Sequence, residues 1–454
     1  MKPWMWSAFI AIPLFAVGVT LVARPPGNEW TTTSPEALAA FEAGMEAQEK
    51  VYFAEAREHF GRALELDPDF LVAKYRYAMA LFDEDPEHAQ ELLDQLATAE
   101  LPALTAREQF IIERWRALRN SRADDADRML DTYIAKHPND PHGLSIQANR
   151  TWGRGELEEA TRLYQHLLEI DPNWVTAYNA LGYIAMTQGR FVESEEYFTS
   201  YRFVVPDQAN PHDSLGELFI IQVRYDEAES SLERAIELKP DFWASYQHLV
   251  IMKAHSGDPD GALAVIARAR ATGMAEDEAI ELDCLVHYTE LAGRESWRRI
   301  LDERDSGCVV RRPTGYAAII THRAACRLGD WTTVQEIEDR ADGLLLEVEN
   351  SGSRDAGTAV QAAINHLQGV RLATQGDFET AQERLRAADQ RLSFLQTREG
   401  IFKIYNSMIL VETLLATGQD AKAHQLLADI RGTNPPMVAE FERSRFRLLG
   451  LERG

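Results

Sequence analysis

Four prolines, Pro138, Pro172, Pro206 and Pro240, follow one another at intervals of 34 residues. Pro68 precedes the first of them by 70 residues, two such intervals plus a two-residue insertion. Each proline closes a short segment of one pattern: Leu66-Asp67-Pro68, Lys136-His137-Pro138, Ile170-Asp171-Pro172, Val204-Val205-Pro206 and Leu238-Lys239-Pro240. A fixed period of this length means one supersecondary unit copied along the chain, each copy burying its apolar face on its neighbours. Length alone, at 454 residues, would suggest about three compact domains. Stacked units escape that limit because no single core has to grow.

The interior of the unit repeats as well. With each proline taken as position thirty-two, position twenty is small: Ala56, Ala126, Ala160, Ser194 and Ala228. Position twenty-four is large: Phe60, Leu130, Tyr164, Phe198 and Leu232. Position eight holds Gly44, Ala148, Gly182 and Gly216, with Arg114 the exception. Two antiparallel helices that touch at the small residues, with the large one filling the gap to the next unit, explain this spacing. Polar-Gly pairs mark the reversal between them: Arg154-Gly155, Gln188-Gly189, Ser256-Gly257, Gln375-Gly376 and Thr417-Gly418. Apolar residues at 45% and charged residues at 26% exclude disorder for the bulk of the chain. Ala, Leu, Glu, Arg and Gln dominate, and few stretches alternate β-branched with polar residues, which favours an all-α reading.

This unit resembles the tetratricopeptide repeat. The resemblance runs over about residues 37–437 and is strongest at 107–242, with 175–208 in best register. Weaker units show the same small-then-large spacing: Gly257, Ala262, Ile266 and Ala269 in 243–276, then Gly369, Gly376, Ala381, Leu385 and Ala388 in 362–395. Residues 404–437 carry Gly418, Ala423 and Leu427, while 71–104 and 277–350 read as degenerate hairpins. The resulting division is 1–26 anchor or signal segment, 27–36 linker, 37–276 N-terminal array and 277–350 degenerate repeats. Residues 351–437 then form C-terminal repeats, and 438–454 a capping helix and tail. The resemblance implies a right-handed superhelical solenoid whose first helices line a concave groove that holds peptides or proteins.

Transferring the family's groove positions gives Glu108, Ile111, Trp115 and Leu118, then His142, Ser145, Asn149 and Trp152. The next two units offer Thr176, Asn179, Tyr183 and Met186, then Asn210, Asp213, Glu217 and Ile220. Trp115, Asn149, Trp152, Asn179, Tyr183, Met186, Asp213 and Glu217 are the candidate partner-binding residues. Aromatics supply contact area at low entropy cost and amides satisfy backbone groups. The competing reading has Trp115 and Trp152 completing inter-repeat packing. Family members that clamp a terminal carboxylate use Lys and Arg at groove positions, and these are missing from the fourth to sixth units. Asp213 and Glu217 point to a neutral or basic partner instead.

Pro3 to Ala23 is an uncharged apolar run of 21 residues, long enough to span a hydrocarbon core of roughly 30 Å. Arg24-Pro25-Pro26-Gly27 stops any helix there, and Trp4, Trp6 and Trp30 suit the membrane interfaces. The expectation is an N-terminal transmembrane helix with the repeats periplasmic or otherwise extracytoplasmic. Cleavage as a signal peptide, or anchoring with the repeats in the cytoplasm, are the alternatives.

Asp plus Glu exceed Lys plus Arg by 72 to 47, a net charge of −25, with no run of five basic residues. Nucleic acid is excluded as a partner on that ground. The three cysteines, Cys284, Cys308 and Cys326, form neither a disulfide framework nor a zinc pattern. Cys284 and Cys326 sit in apolar helical contexts and Cys308 in a loop-like stretch; one pair can bridge in an oxidising compartment, but the spacing does not demand it. No phosphate loop, dinucleotide fingerprint, nucleophile elbow or HExxH pair occurs. His137 and His142, and the stretch Gly257-Asp258-Pro259-Asp260-Gly261, read as turns, not metal sites. The chain is therefore expected to be a membrane-tethered scaffold for cell-envelope proteins, with no cofactor, metal or catalytic residue. A peptide- or ligand-sensing regulator is the alternative, and an enzyme with a site in 277–350 the more remote one.

Overall fold

The computed structural model describes residues 30–82, 84–101, 104–351, 354–393 and 397–433. Among these every regular element is a helix and no strand occurs. The apolar run 3–23 and the expected capping helix at 438–454 lie outside the described residues. Among the described residues no helix is long and apolar enough to cross a membrane.

Seven hairpins come first: α1 (Pro35–Glu49) with α2 (Phe53–Leu66), α3 (Leu71–Leu81) with α4 (Pro86–Thr98), and α5 (Ala106–Arg119) with α6 (Ala123–Lys136). They continue with α7 (Pro141–Gly153) and α8 (Leu157–Ile170), α9 (Val175–Thr187) and α10 (Phe191–Val204), then α11 (Ala209–Ile221) and α12 (Tyr225–Leu238). The seventh is α13 (Trp243–Ser256) with α14 (Pro259–Ala271). Less regular helices follow: α15 (Glu276–Gly293), α16 (Trp297–Asp302), α17 (Gly307–Val310), α18 (Tyr316–Leu328) and α19 (Trp331–Ser351). The last four are α20 (Arg354–Thr374), α21 (Phe378–Asp389), α22 (Thr397–Ala416) and α23 (Asp420–Thr433).

The local reasons for the hairpins are short-range. Asp85, Asp140 and Asp258 each accept a backbone N–H at the start of α4, α7 and α14, with proline in the first turn. Thr105 and Glu108 form a full capping box at α5. The two stretches weighed as metal sites therefore supply helix caps. The reversals of the third to seventh hairpins each hold one left-handed residue, recurring with the repeat period at Ser121, Gly155, Gly189, Val223 and Gly257, and Val51 does the same in the first. The backbone thus imposes positive φ even where the sequence offers Val or Ser, at a cost of roughly 1–2 kcal/mol.

The small and large positions are core positions throughout. Ala56, Ala126, Ala160, Ser194 and Ala228, and Phe60, Leu130, Tyr164, Phe198 and Leu232, are all at most 2% exposed. A Cβ on Gly44 would lie 2.6 Å from the Phe60 ring, and one on Gly216 2.6 Å from Leu232 Cδ2. Position eight is small because position twenty-four fills its space.

The array does not remain an open spiral. α11 touches α13, α13 touches α15, and the contacts run on through α18, α20 and α22. α22 then packs back on α11, closing a ring of six inner helices. Every residue of α11 is buried as a result. The N-terminal hairpin closes a second contact. Ala209 N donates to the Tyr52 hydroxyl at 3.1 Å, and Lys239 Nζ lies 2.5 Å from Glu55. The expected continuous groove is therefore shut at its sixth unit, where α22, one of the longer helices of the second half, contacts α11.

The degenerate stretch is tied by a disulfide between Cys284 on α15 and Cys308 on α17. Cys284 is accordingly not a packed free thiol, nor is Cys308 a free exposed one, while Cys326 is free and buried. Trp30 departs from its expected place at a membrane interface: it is 6% exposed and packs on Phe41 with ring centroids 4.9 Å apart.

Candidate functional site

The eight candidate partner residues separate into three groups. Trp115 on α5 is partly buried, with its ring centroid 5.9 Å from Tyr75 and the Arg119 guanidinium over its face. On α7, Asn149 is exposed and accepts from the Tyr164 hydroxyl at 2.5 Å, and Trp152 lies edge-on to Tyr164 at 6.3 Å. These three keep surface that another molecule can reach. Met186 does not: it is fully buried in the core. Its place at position twelve faces the next repeat rather than a hollow.

Asn179, Tyr183, Asp213 and Glu217 are brought together in one network. Ser214 donates to Asn179 Oδ1 at 3.0 Å, and the Tyr183 hydroxyl donates to Glu217 Oε2 at 2.9 Å. Asp213 Oδ1 accepts from Ser245 at 2.6 Å and lies 3.0 Å from His248 Nδ1. His248 Nε2 stands 3.6 Å from Glu217. Burial and the charges of Glu217 and Asp213 push the Tyr183 phenol well above its ordinary pKa, so it stays a donor. Asp213 and Glu217 are 3% and 4% exposed. Their acceptor capacity is spent largely inside the chain. Ser245 and His248, off the transferred positions, carry half of this network and were not legible from the groove pattern.

Of the other transferred positions, Glu108 is fully buried and holds Thr31 N at 2.9 Å as well as its own cap. Asn210 donates to the Tyr201 hydroxyl at 3.1 Å. Ile111 and Ile220 are buried, whereas Leu118 is 43% exposed. Asp140 in the His137–His142 junction accepts from Arg107 Nε at 3.0 Å and from the Tyr133 hydroxyl at 3.1 Å, which with burial raises Tyr133 to about 12.

One arrangement in the degenerate stretch has the outline of a nucleophile site. His322 Nδ1 lies 3.7 Å from Cys326 Sγ, and His322 Nε2 lies 3.0 Å from Glu338 Oε1. Arg371 Nε donates to the same carboxylate at 2.9 Å. The chemistry runs the wrong way for a reactive thiol. Burial pushes Cys326 up to about 12 and His322 below its usual value, so a neutral thiol faces a neutral imidazole. Cys326 is 2% exposed and His322 fully buried, leaving no approach for a substrate.

Residues 147–213 match one family profile described as tetratricopeptide repeat, and residues 212–242 match a second of the same description. MamA from Desulfovibrio magneticus RS-1 is similar at 18% identity, over 37% of this chain and 97% of its own, with a TM-score of 0.33. PilW, a widely conserved type IV pilus biogenesis factor, is similar at 14% identity, over 44% and 94%, with a TM-score of 0.37. A tetratricopeptide repeat protein of Parabacteroides merdae is similar at 14% identity, over 56% and 100%, with a TM-score of 0.36.

Proposed function

We propose that this chain, whose residues 147–242 match tetratricopeptide repeats, is a membrane-tethered interaction scaffold that recruits or assembles cell-envelope proteins. The observation that carries the reading is the unspent surface on the first helices α5 and α7. There Trp115, Asn149, Trp152 and Leu118 offer aromatic, amide and apolar contacts that no described residue covers completely. On this reading the partner contact lies on the N-terminal half. The network around Asp213 and Glu217 serves to hold α9, α11 and α13 in register.

Two features support the tether and its side. The apolar run 3–23 has the length of a span. The Cys284–Cys308 bond is a chemistry that persists in oxidising compartments and is rare in a reducing cytosol. Anchoring near a membrane raises the effective concentration of any membrane partner without a new contact.

Crosslinking tests the surface. A photoreactive residue in place of Trp152 in the full chain should capture a defined protein in native membranes, and one in place of Met186 should not. Equal capture from both, or capture from neither, removes the basis of the assignment. Alkylation of intact cells tests the side: Cys284 and Cys308 should react only after reduction. Free reaction without reductant places the repeats in the cytoplasm.

A further inference from the structure

The second helix α10 breaks a rule that its neighbours α8 and α12 keep. Along the repeat period, Glu158 and Asp226 hold the place of Val192, Glu169 and Glu237 hold the place of Phe203, and all four acids are exposed. Val192 is nevertheless 75% exposed and Phe203 84%. With Glu196 and Thr199, both also exposed, they follow one stripe of the helix at i, i+4, i+7 and i+11. The fold does not need these two apolar residues, because Phe191, Phe198 and Tyr201 already pack the buried side of α10. Single exposed apolar residues are ordinary. Two on one stripe, where adjacent repeats carry acids, mark a contact face.

The charges along α10 say what fits it. Glu193, Glu195 and Glu196 lie toward its N-terminus and Arg202 toward its C-terminus, with Arg190 before the helix and Asp207 after it. Turned end for end about Thr199, this order is its own complement: Arg190 falls beside Asp207, and Glu195 and Glu196 beside Arg202. Parallel pairing would instead set Arg202 on Arg202 and Glu196 on Glu196, like charge on like. Glu193 and Glu195 are held within the chain by Arg190 and Arg224. Glu196 and Arg202 form no ion pair among the described residues. The apolar residues match in the same sense. Val192 stands seven residues before Thr199 and Phe203 four after it. Antiparallel pairing therefore brings each Phe203 within about one turn of the other copy's Val192, roughly 4.5 Å along the axis.

We propose that the exposed face of α10 docks a second copy of this chain, the two helices packing antiparallel about Thr199. The same patch then serves both partners across a two-fold axis. One helix from each copy covers less than the roughly 1,200 Å² that a stable complex buries. The pairing is therefore weak in dilute solution and gains from anything that concentrates the chain, a shared membrane surface included. It uses a second helix, whereas the docking reading uses the first helices α5 and α7, so neither depends on the other.

Crosslinking of the purified full chain in detergent tests this. Thr199→Cys puts a reactive thiol at the two-fold axis, and the native cysteines do not compete: Cys284 and Cys308 are bonded to each other and Cys326 is buried. A short bismaleimide should join two copies of Thr199→Cys. It should fail with Val192→Cys, whose two positions an antiparallel pair holds roughly 20 Å apart. Adding Phe203→Glu should cut the Thr199→Cys dimer several-fold with an unchanged melting temperature, and adding Arg202→Glu should cut it by setting acid against acid. No dimer from Thr199→Cys, equal yields from Thr199→Cys and Val192→Cys, or a yield indifferent to both glutamate substitutions overturns the proposal. A different protein or a lipid as the natural occupant of α10 would give the first of these results.

Discussion

The ring of Phe198 occupies the space that a Cβ on Gly182 would need, with Phe198 Cζ 2.8 Å from that position and two further ring carbons closer still. The pair is one turn of a rule repeated at Gly44 with Phe60, Gly216 with Leu232 and Gly369 with Leu385. Gly182→Ala should therefore cost about 1–3 kcal/mol by overpacking, despite alanine's better helix propensity. Adding Phe198→Leu should recover part of that loss. Urea denaturation of the two single variants and the double variant gives the coupling; strict additivity would show that the two positions do not touch.

Ser194 stands where the other four aligned repeats carry alanine. It is fully buried, and its hydroxyl finds no partner. Ser194→Ala should raise stability by about 1 kcal/mol, since it removes an unpaired buried group without leaving a cavity. A lower urea midpoint in the variant would mean that the hydroxyl is hydrogen-bonded in solution.

Val223 takes the left-handed turn position at φ 57°, which Gly155 and Gly189 occupy in the preceding repeats. A β-branched residue is a poor fit there. Val223→Gly should gain up to about 1 kcal/mol, the relief of strain exceeding the entropy cost of glycine. Thermal melting checks the sign, and a lower melting temperature would show that the half-buried Val side chain outweighs the strain.

His366 is almost fully buried, its Nδ1 3.0 Å from Asn406 Oδ1, and burial lowers its pKa from 6.5 to about 4. The unfolded chain therefore binds the proton more readily than the folded one. The stabilisation is complete above about pH 6.5 and is lost as pH falls toward 4. Between pH 7 and 4.5 the protein should lose about 2–3 kcal/mol more stability than a His366→Asn variant. Parallel acid profiles of the two would refute this.

Gly182, Phe198 and their counterparts were legible in the sequence because their meaning is local. Helices joined by one turn meet at fixed spacing, so small and large residues must alternate at that spacing wherever the fold repeats. The turn positions were legible only where glycine marked them. At Ser121 and Val223 the demand is on the backbone, and residue type carries no sign of it. Of the candidate contacts, Trp115, Asn149 and Trp152 retain accessible surface, while the pattern could not foresee that α11 would be enclosed.

The chain by itself determined the period, the helix pairs, their caps and the identity of the core positions, since each depends on residues within about one repeat. Its sequence also carries the apolar N-terminal run and the acidic balance. Only the tertiary structure decided where the array stops being open. The closure of α22 on α11, the bond from Ala209 to Tyr52 and the meeting of Trp30, His142 and Trp174 join residues far apart in the chain. Such contacts follow from curvature summed over many units, in which small rotations accumulate, and no single repeat encodes the total.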